Sequence, residues 1–236
     1  MIKYPLSEIL LMSGGLDSYV AWLKLNKPPC LHFQKHSKYS GNEYRAVIRL
    51  KHLHPEMTLI FRNVLWLRKF EQPDAHIPMR NVHFVSIASH LADKIYLPCQ
   101  LGEREIPDRS DKFFREYSQF LAWQYGREKT IDPVFWEETK GDLIKWYIEQ
   151  GYPIENLKKT YSCFSGERER CGRCKSCFRL ACALEYNGIQ IDDWFSKNPF
   201  DWEGVSEYIK HIKLGQYEPR RAEQMKSVLK KRGLWA

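Results

Sequence analysis

Glu8-Ile-Leu-Leu-Met12 runs without a break into Ser13-Gly14-Gly15-Leu16-Asp17-Ser18. Ile9 to Met12 are apolar at every position, so this segment has no polar face. A strand of that kind belongs in a parallel sheet covered by helices on both sides. The glycines end it, and from Ser18 to Leu25 apolar residues recur at helical spacing. A buried strand, a glycine loop and a helix in that order predict the opening unit of an α/β fold. In such folds ligands bind beyond the carboxyl ends of the strands, where this loop lies.

Outward from this unit the alternation repeats. Strands are expected at Cys30–Gln34, Met57–Phe61 and Ile95–Leu101. Helices are expected at Asn42–Leu53, Asn81–Lys94, 110–125 and 137–150. Strands alternating with amphipathic helices predict a doubly wound, mostly parallel sheet. From about Gly151 the texture changes to turn residues, a cysteine cluster and a helix over 178–187. The expected division is therefore an α/β domain over 1–150 and a helical, metal-bearing region over 151–236.

The loop carries its own chemistry. Gly14 and Gly15 let backbone N–H groups approach a phosphate, Ser13 and Ser18 add hydroxyls, and the following helix turns its positive end to the same place. Asp17 would repel a polyphosphate unless a cation lay between them, which suggests Mg²⁺. Neither GxxxxGK[ST] nor GxGxxG is present, so the usual P-loop and the dinucleotide fingerprint are excluded. On spacing alone, a plain Gly-Gly turn with Asp17 or Ser18 as helix cap remains open.

Of seven cysteines, four fall at Cys163, Cys171, Cys174 and Cys177 in the pattern C-x7-C-x2-C-x2-C. Clustering of this kind points to metal rather than to a disulfide scaffold, and four thiolates suit a closed zinc site. Gly172 permits the tight turn this requires. Iron–sulfur ligation and unliganded cysteines stay open, although the C-x3-C-P continuation typical of the former is missing. Cys30, Cys99 and Cys182 lie in strand- or helix-like stretches and read as core.

The whole chain of 236 residues is 43% apolar and carries a net charge of +8, which excludes a mostly disordered chain. No apolar run is long enough to span a membrane, and the N-terminal apolar core is too short for a signal peptide. A cytoplasmic protein is expected. The excess charge is concentrated in 210–236, where eight Lys/Arg meet two Glu. That tail reads as a solvated helix face, dispensable for catalysis, and a nucleic-acid partner is not expected.

Ser13 to Ser18 resembles the loop of the PP-loop ATP pyrophosphatases in full. Together with Thr160-Tyr-Ser-Cys163 and Cys171-Gly-Arg-Cys-Lys-Ser-Cys177 it resembles the QueC family, 7-cyano-7-deazaguanine synthase. Ile77-Pro78-Met79-Arg80-Asn81 with Phe84, Pro107-Asp108 with Phe113, Thr139-Lys140, and His32-Phe33 with Glu43 resemble further family segments in the same order. The resemblance covers about residues 8–188.

It implies an adenine nucleotide alpha hydrolase-like fold and a ligase using ATP, Mg²⁺, ammonia and a 7-deazaguanine substrate as a homodimer. It places Ser13, Gly14, Gly15, Leu16, Asp17, Ser18, Phe33, Arg80, Asn81 and Lys140 around ATP. Asp17, Lys140 and Arg80 would be catalytic, Asp108 and Arg80 would hold the substrate, and the four cysteines would hold a structural zinc. Gln34-Lys35-His36 departs from the family's usual stretch after the second strand. Arg179 follows the last cysteine by two residues where the family often has arginine at three, and the segment between Gly102 and Pro107 is short. A product halted at the amide and a PP-loop enzyme acting on a tRNA base are the competing readings. A zinc-knuckle nucleic-acid binder is the non-enzymatic one.

Overall fold

Strand β1 (Leu6–Leu11) sits in the middle of a five-stranded sheet and feeds two cores. Ile9 and Leu11 join an apolar cluster on one face, while Leu10 and the following Met12 join a second on the other. The two-residue period of a strand requires that division. The structure, a computed structural model, describes residues 5–34, 37–63, 67–72 and 77–235. The departure noted at Lys35 and His36 therefore lies outside the described residues.

After β1 come α1 (Leu16–Lys24), β2 (Cys30–Phe33), α2 (Ser40–Leu53), β3 (Leu59–Arg62), α3 (Arg80–Ser89) and β4 (Ala92–Tyr96). Then follow α4 (Asp111–Tyr125), β5 (Thr130–Asp132), α5 (Lys140–Glu149), α6 (Ile154–Lys158), α7 (Lys175–Tyr186), α8 (Val205–Lys213) and α9 (Pro219–Lys231). The strands are ordered β3-β2-β1-β4-β5 and every pairing is parallel. The chain thus moves outward from β1 to β3, returns to the far side of β1 and moves outward again. The reversal lies between β1 and β4, and loops diverging there open a crevice at the carboxyl ends. The expected doubly wound α/β sheet is present, parallel throughout among the described residues.

Helices α1, α5, α7 and α9 cover the Leu10 face with Trp22, Tyr147, Phe178 and Leu229. Helices α3 and α4 cover the Ile9 face with Val85, Phe114 and Leu121. No described helix is long and apolar enough to cross a membrane.

Some boundaries differ from the sequence reading, each for a physical reason. The helix expected through Lys94 ends at Ser89. Lys129, its side chain fully buried, donates to the carbonyls of Ser89 at 2.6 Å and Ala92 at 2.9 Å and pairs with Asp93 at 2.8 Å. A buried ammonium needs that full set of acceptors, and meeting it ties off α3 and starts β4. The strand expected to reach Leu101 stops at Tyr96, two residues before Pro98, which has no N–H for the ladder.

The basic tail is only half solvated. Met225, Val228 and Leu229 are buried, whereas Lys230 and Lys231 are exposed. A three-to-four-residue apolar spacing diluted by lysines hid this inward face.

Candidate functional site

The loop after β1 is knitted by its own side chains. Ser18 Oγ donates to the Gly15 carbonyl at 3.0 Å, and Gly15 N donates to Ser13 Oγ at 3.2 Å. Gly14 has φ of +81°, and a Cβ there would stand 2.8 Å from the Glu43 carbonyl oxygen. Only glycine fits both demands. The Gly14 carbonyl accepts from Tyr161 N at 2.8 Å, which joins the loop to the segment leading into Cys163. Leu16 is buried in the core. Ser13, Gly15, Asp17 and Ser18 line the cavity above, while Gly14 and Leu16 shape and anchor the loop.

That cavity has a volume of about 570 Å³. The first turns of α1, α3, α5 and α7 all contribute lining residues: Asp17, Arg80 with Asn81, Lys140, and Lys175 with Ser176. Helix N-termini carry a partial positive charge, partly met by Asp108 at α3 and by the Thr139–Asp142 box at α5, and with Arg80, Lys140, Lys175 and Arg179 on the same walls the cavity favours an anion. On its wall Lys140 Nζ donates to the Asp17 carboxylate across 123 residues of sequence. Lys140 is the first residue of α5. The Thr139 hydroxyl accepts from Asp142 N at 3.2 Å, and the Asp142 carboxylate accepts from Thr139 N at 2.8 Å. This reciprocal capping box fixes where α5 begins.

Phe33 also lines the cavity, stacked on Phe84 with ring centroids 4.7 Å apart. Asp108 does not. Its carboxylate accepts from Asn81 N at 2.9 Å and its carbonyl from Asn81 Nδ2 at 3.3 Å. It thereby caps the start of α3 from outside and sits behind Arg80 and Asn81.

Several wall residues were not singled out in the sequence. Glu103 pairs with Arg109 at 2.6 Å. Burial alone would raise the Glu103 carboxyl, but Arg109, Arg179 and Arg221 bring it down to about 2. Arg179, which follows the last cysteine by two residues, lines the cavity as well. Arg221 and Gln224 come from the tail, where no local motif marks them.

The four cysteine sulfurs all lie within 4.8 Å of one another. Cys163 Sγ is 3.4 Å from Cys171 Sγ and 4.0 Å from Cys174 Sγ, and Cys171 Sγ is 4.0 Å from Cys177 Sγ. Metal–sulfur bonds of about 2.3 Å in a tetrahedron put sulfurs about 3.8 Å apart, so the set fits a metal ion. Amides of Ser165, Cys171 and Arg173 donate to these sulfurs at 3.2–3.5 Å, as suits thiolates. Hydrogen bonding from Cys174 and Cys177 pulls the Cys163 thiol well below its usual range, toward the thiolate. Arg170 is buried and its guanidinium donates to the carbonyls of Leu157 and Thr160, bracing the approach to Cys163. Cys163 itself lines the cavity, so the cluster supports one of its walls.

A family model described as "Queuosine biosynthesis protein QueC" matches residues 63–188. A 7-cyano-7-deazaguanine synthase of Persephonella marina is 29% identical over 234 residues, covering 83% of this chain and 99% of that protein. The synthase of Methanocaldococcus jannaschii is 28% identical over 225 residues, covering 78% and 97%. That of Sulfolobus acidocaldarius is 28% identical over 229 residues, covering 83% of this chain and 47% of that protein. The chain thus spans nearly the full length of the first two relatives and about half of the third.

Proposed function

The chain belongs to the QueC family, and on that footing we propose that it converts 7-carboxy-7-deazaguanine and ammonia into 7-cyano-7-deazaguanine at the expense of ATP, releasing AMP and pyrophosphate. The observation that carries this reading is the Asp17–Lys140 pair in a cavity that Arg80, Lys175 and Arg179 also line. A polyanion is what such a cavity binds best.

In this reading the ATP phosphates lie over Ser13 to Ser18 and the adenine on the side of Phe33. The substrate carboxylate attacks the α-phosphorus, and the bond to pyrophosphate breaks. Lys140 turns from Asp17 to the phosphate oxygens, where a fixed cation stabilises the developing charge. Asp17, released, is the carboxylate that would hold Mg²⁺, whose chemistry is to neutralise the departing pyrophosphate. Arg80 and Asn81 line the nucleotide and acyl end, and Asp108 acts on the substrate through Asn81. Ammonia displaces AMP to give the amide; the amide oxygen then takes AMP from a second ATP, and its loss with a proton leaves the nitrile.

Zinc on Cys163, Cys171, Cys174 and Cys177 is structural, because four thiolates leave no open position for substrate. Residues 1–150 then supply the ATP loop and Lys140, and 151–236 the zinc together with further walls of the same cavity, in a cytoplasmic homodimer. The test is nucleotide analysis with Mg²⁺, ammonium and the carboxylate substrate present. AMP and pyrophosphate appearing only with that substrate are expected; ADP and phosphate, or no cleavage, would overturn the proposal.

A further inference from the structure

Helix α9 lies beyond the residues that carry the family match, yet Arg221, Gln224 and Met225 line the cavity. Gln224 grips the cap of α5 with both ends of its amide. Its Nε2 donates to Asp142 Oδ1 at 3.1 Å, and its Oε1 lies 2.8 Å from Thr139 Oγ1, whose single proton it shares with Asp142 Oδ2 at 2.8 Å. Thr139 is the N-cap and Asp142 the third residue of α5, so the grip encloses Lys140. Arg220 adds an ion pair to Asp142 at 3.0 Å.

The receiving surface is shaped for this approach. A Cβ on Gly141 would stand 2.6 Å from Gln224 Oε1 and 3.0 Å from its Cδ. On a separate loop, a Cβ on Gly102 would stand 2.7 Å from Arg221 Cδ and 3.1 Å from Glu218 Cβ. Two glycines on different segments leave room for neighbouring residues of one helix. A solvated tail has no need of such a fit.

The side chain of a first-turn residue is only as well placed as its cap, since helix ends fray. We propose that Gln224 is a positioning residue that holds the first turn of α5, and through it Lys140, at the cavity. The inference rests on the role of Lys140 given above and extends the site to a helix outside the family match.

The test compares Gln224→Met, Lys140→Met and the double variant in the full chain. Methionine fills the same space without the hydrogen bonds, so a packing role survives the change and a positioning role does not. The expected result is a fall in kcat of about tenfold for Gln224→Met at little change in KM for ATP. The double variant is expected to be no slower than Lys140→Met alone, because the two act as a unit. Backbone amides of Lys140 to Leu143 are expected to exchange faster with solvent in Gln224→Met.

Native kcat in Gln224→Met, or losses that multiply in the double variant, would overturn the proposal. Should Lys140→Met itself turn over at the native rate, the assigned role of Lys140 fails instead. Hydrogen exchange then decides on the grip: faster exchange supports it, and native exchange overturns it. Gln224→Asn, which keeps the amide but loses its reach, serves if the methionine variant does not fold.

Discussion

Asp17 is where residue chemistry and function meet most closely. Asp17→Asn keeps the size of the side chain while removing its charge, so the ion pair with Lys140 is lost and, on the proposed function, the carboxylate that would hold Mg²⁺ goes with it. The expected cost is ~10²–10³ in rate, or about 3–4 kcal/mol of barrier, with the melting temperature nearly unchanged. Raised Mg²⁺ should restore part of the rate. Native turnover would reduce Asp17 to a helix-end residue.

Glu103 makes a different prediction. Its carboxyl is lowered from 4.5 to about 2 in the folded protein by the arginines around it, so the fold favours its charged form. That stabilisation, on the order of 3 kcal/mol, is present above about pH 4.5 and is lost as pH falls through about 2. Denaturant midpoints of the native protein and Glu103→Gln should differ clearly at neutral pH and converge in acid; a constant difference would contradict this. The loop that carries Asp17 was legible in the sequence because a buried strand, two glycines and a helix start follow one another locally. Lys140 was legible only through resemblance to a family. Glu103 was not legible, because besides the nearby Arg109 its charge is set by Arg179 and Arg221, which folding brings to it from distant segments.

Among the elements, β1, α1, β2 and α2 could be read because their apolar patterns are continuous and their ends are marked by glycine or proline. The end of α3 could not, since it is imposed by Lys129 from beyond the next helix. Nor could β5, which is three residues long and is defined by pairing Ile131 with Ile95. The cysteine cluster announced itself by spacing, and the structure adds that it braces the cavity wall and the start of α7. Cys171→Ser should therefore act through folding first, since structural metal binding of this kind contributes ~10–16 kcal/mol. Elemental analysis should find one zinc per chain in the native protein and little in the variant, with loss of soluble protein. Iron in the native protein, or a variant that stays folded with its metal and loses only turnover, would contradict a structural zinc.

The whole molecule binds its ends together more tightly than the sequence implied. Leu10 near the start and Leu229 near the end share one core, and α9 reaches the cavity from the far terminus. The expectation that the basic tail is dispensable does not fit that packing. Removing residues from 217 onward would strip Met225, Val228 and Leu229 from the core, at about 1.5–3 kcal/mol each. That approaches the ~5–15 kcal/mol by which a whole domain is stable. Such a truncation should give insoluble or loosely packed protein by near-ultraviolet circular dichroism; a cooperative fold with native AMP release would contradict it. The chemical account is tested most directly by mass spectrometry of the product after incubation with 7-carboxy-7-deazaguanine, ammonium and excess ATP. The expected product is 7-cyano-7-deazaguanine, with two AMP released for each nitrile formed. Recovery of the carboxylate unchanged, with ATP intact, would contradict it.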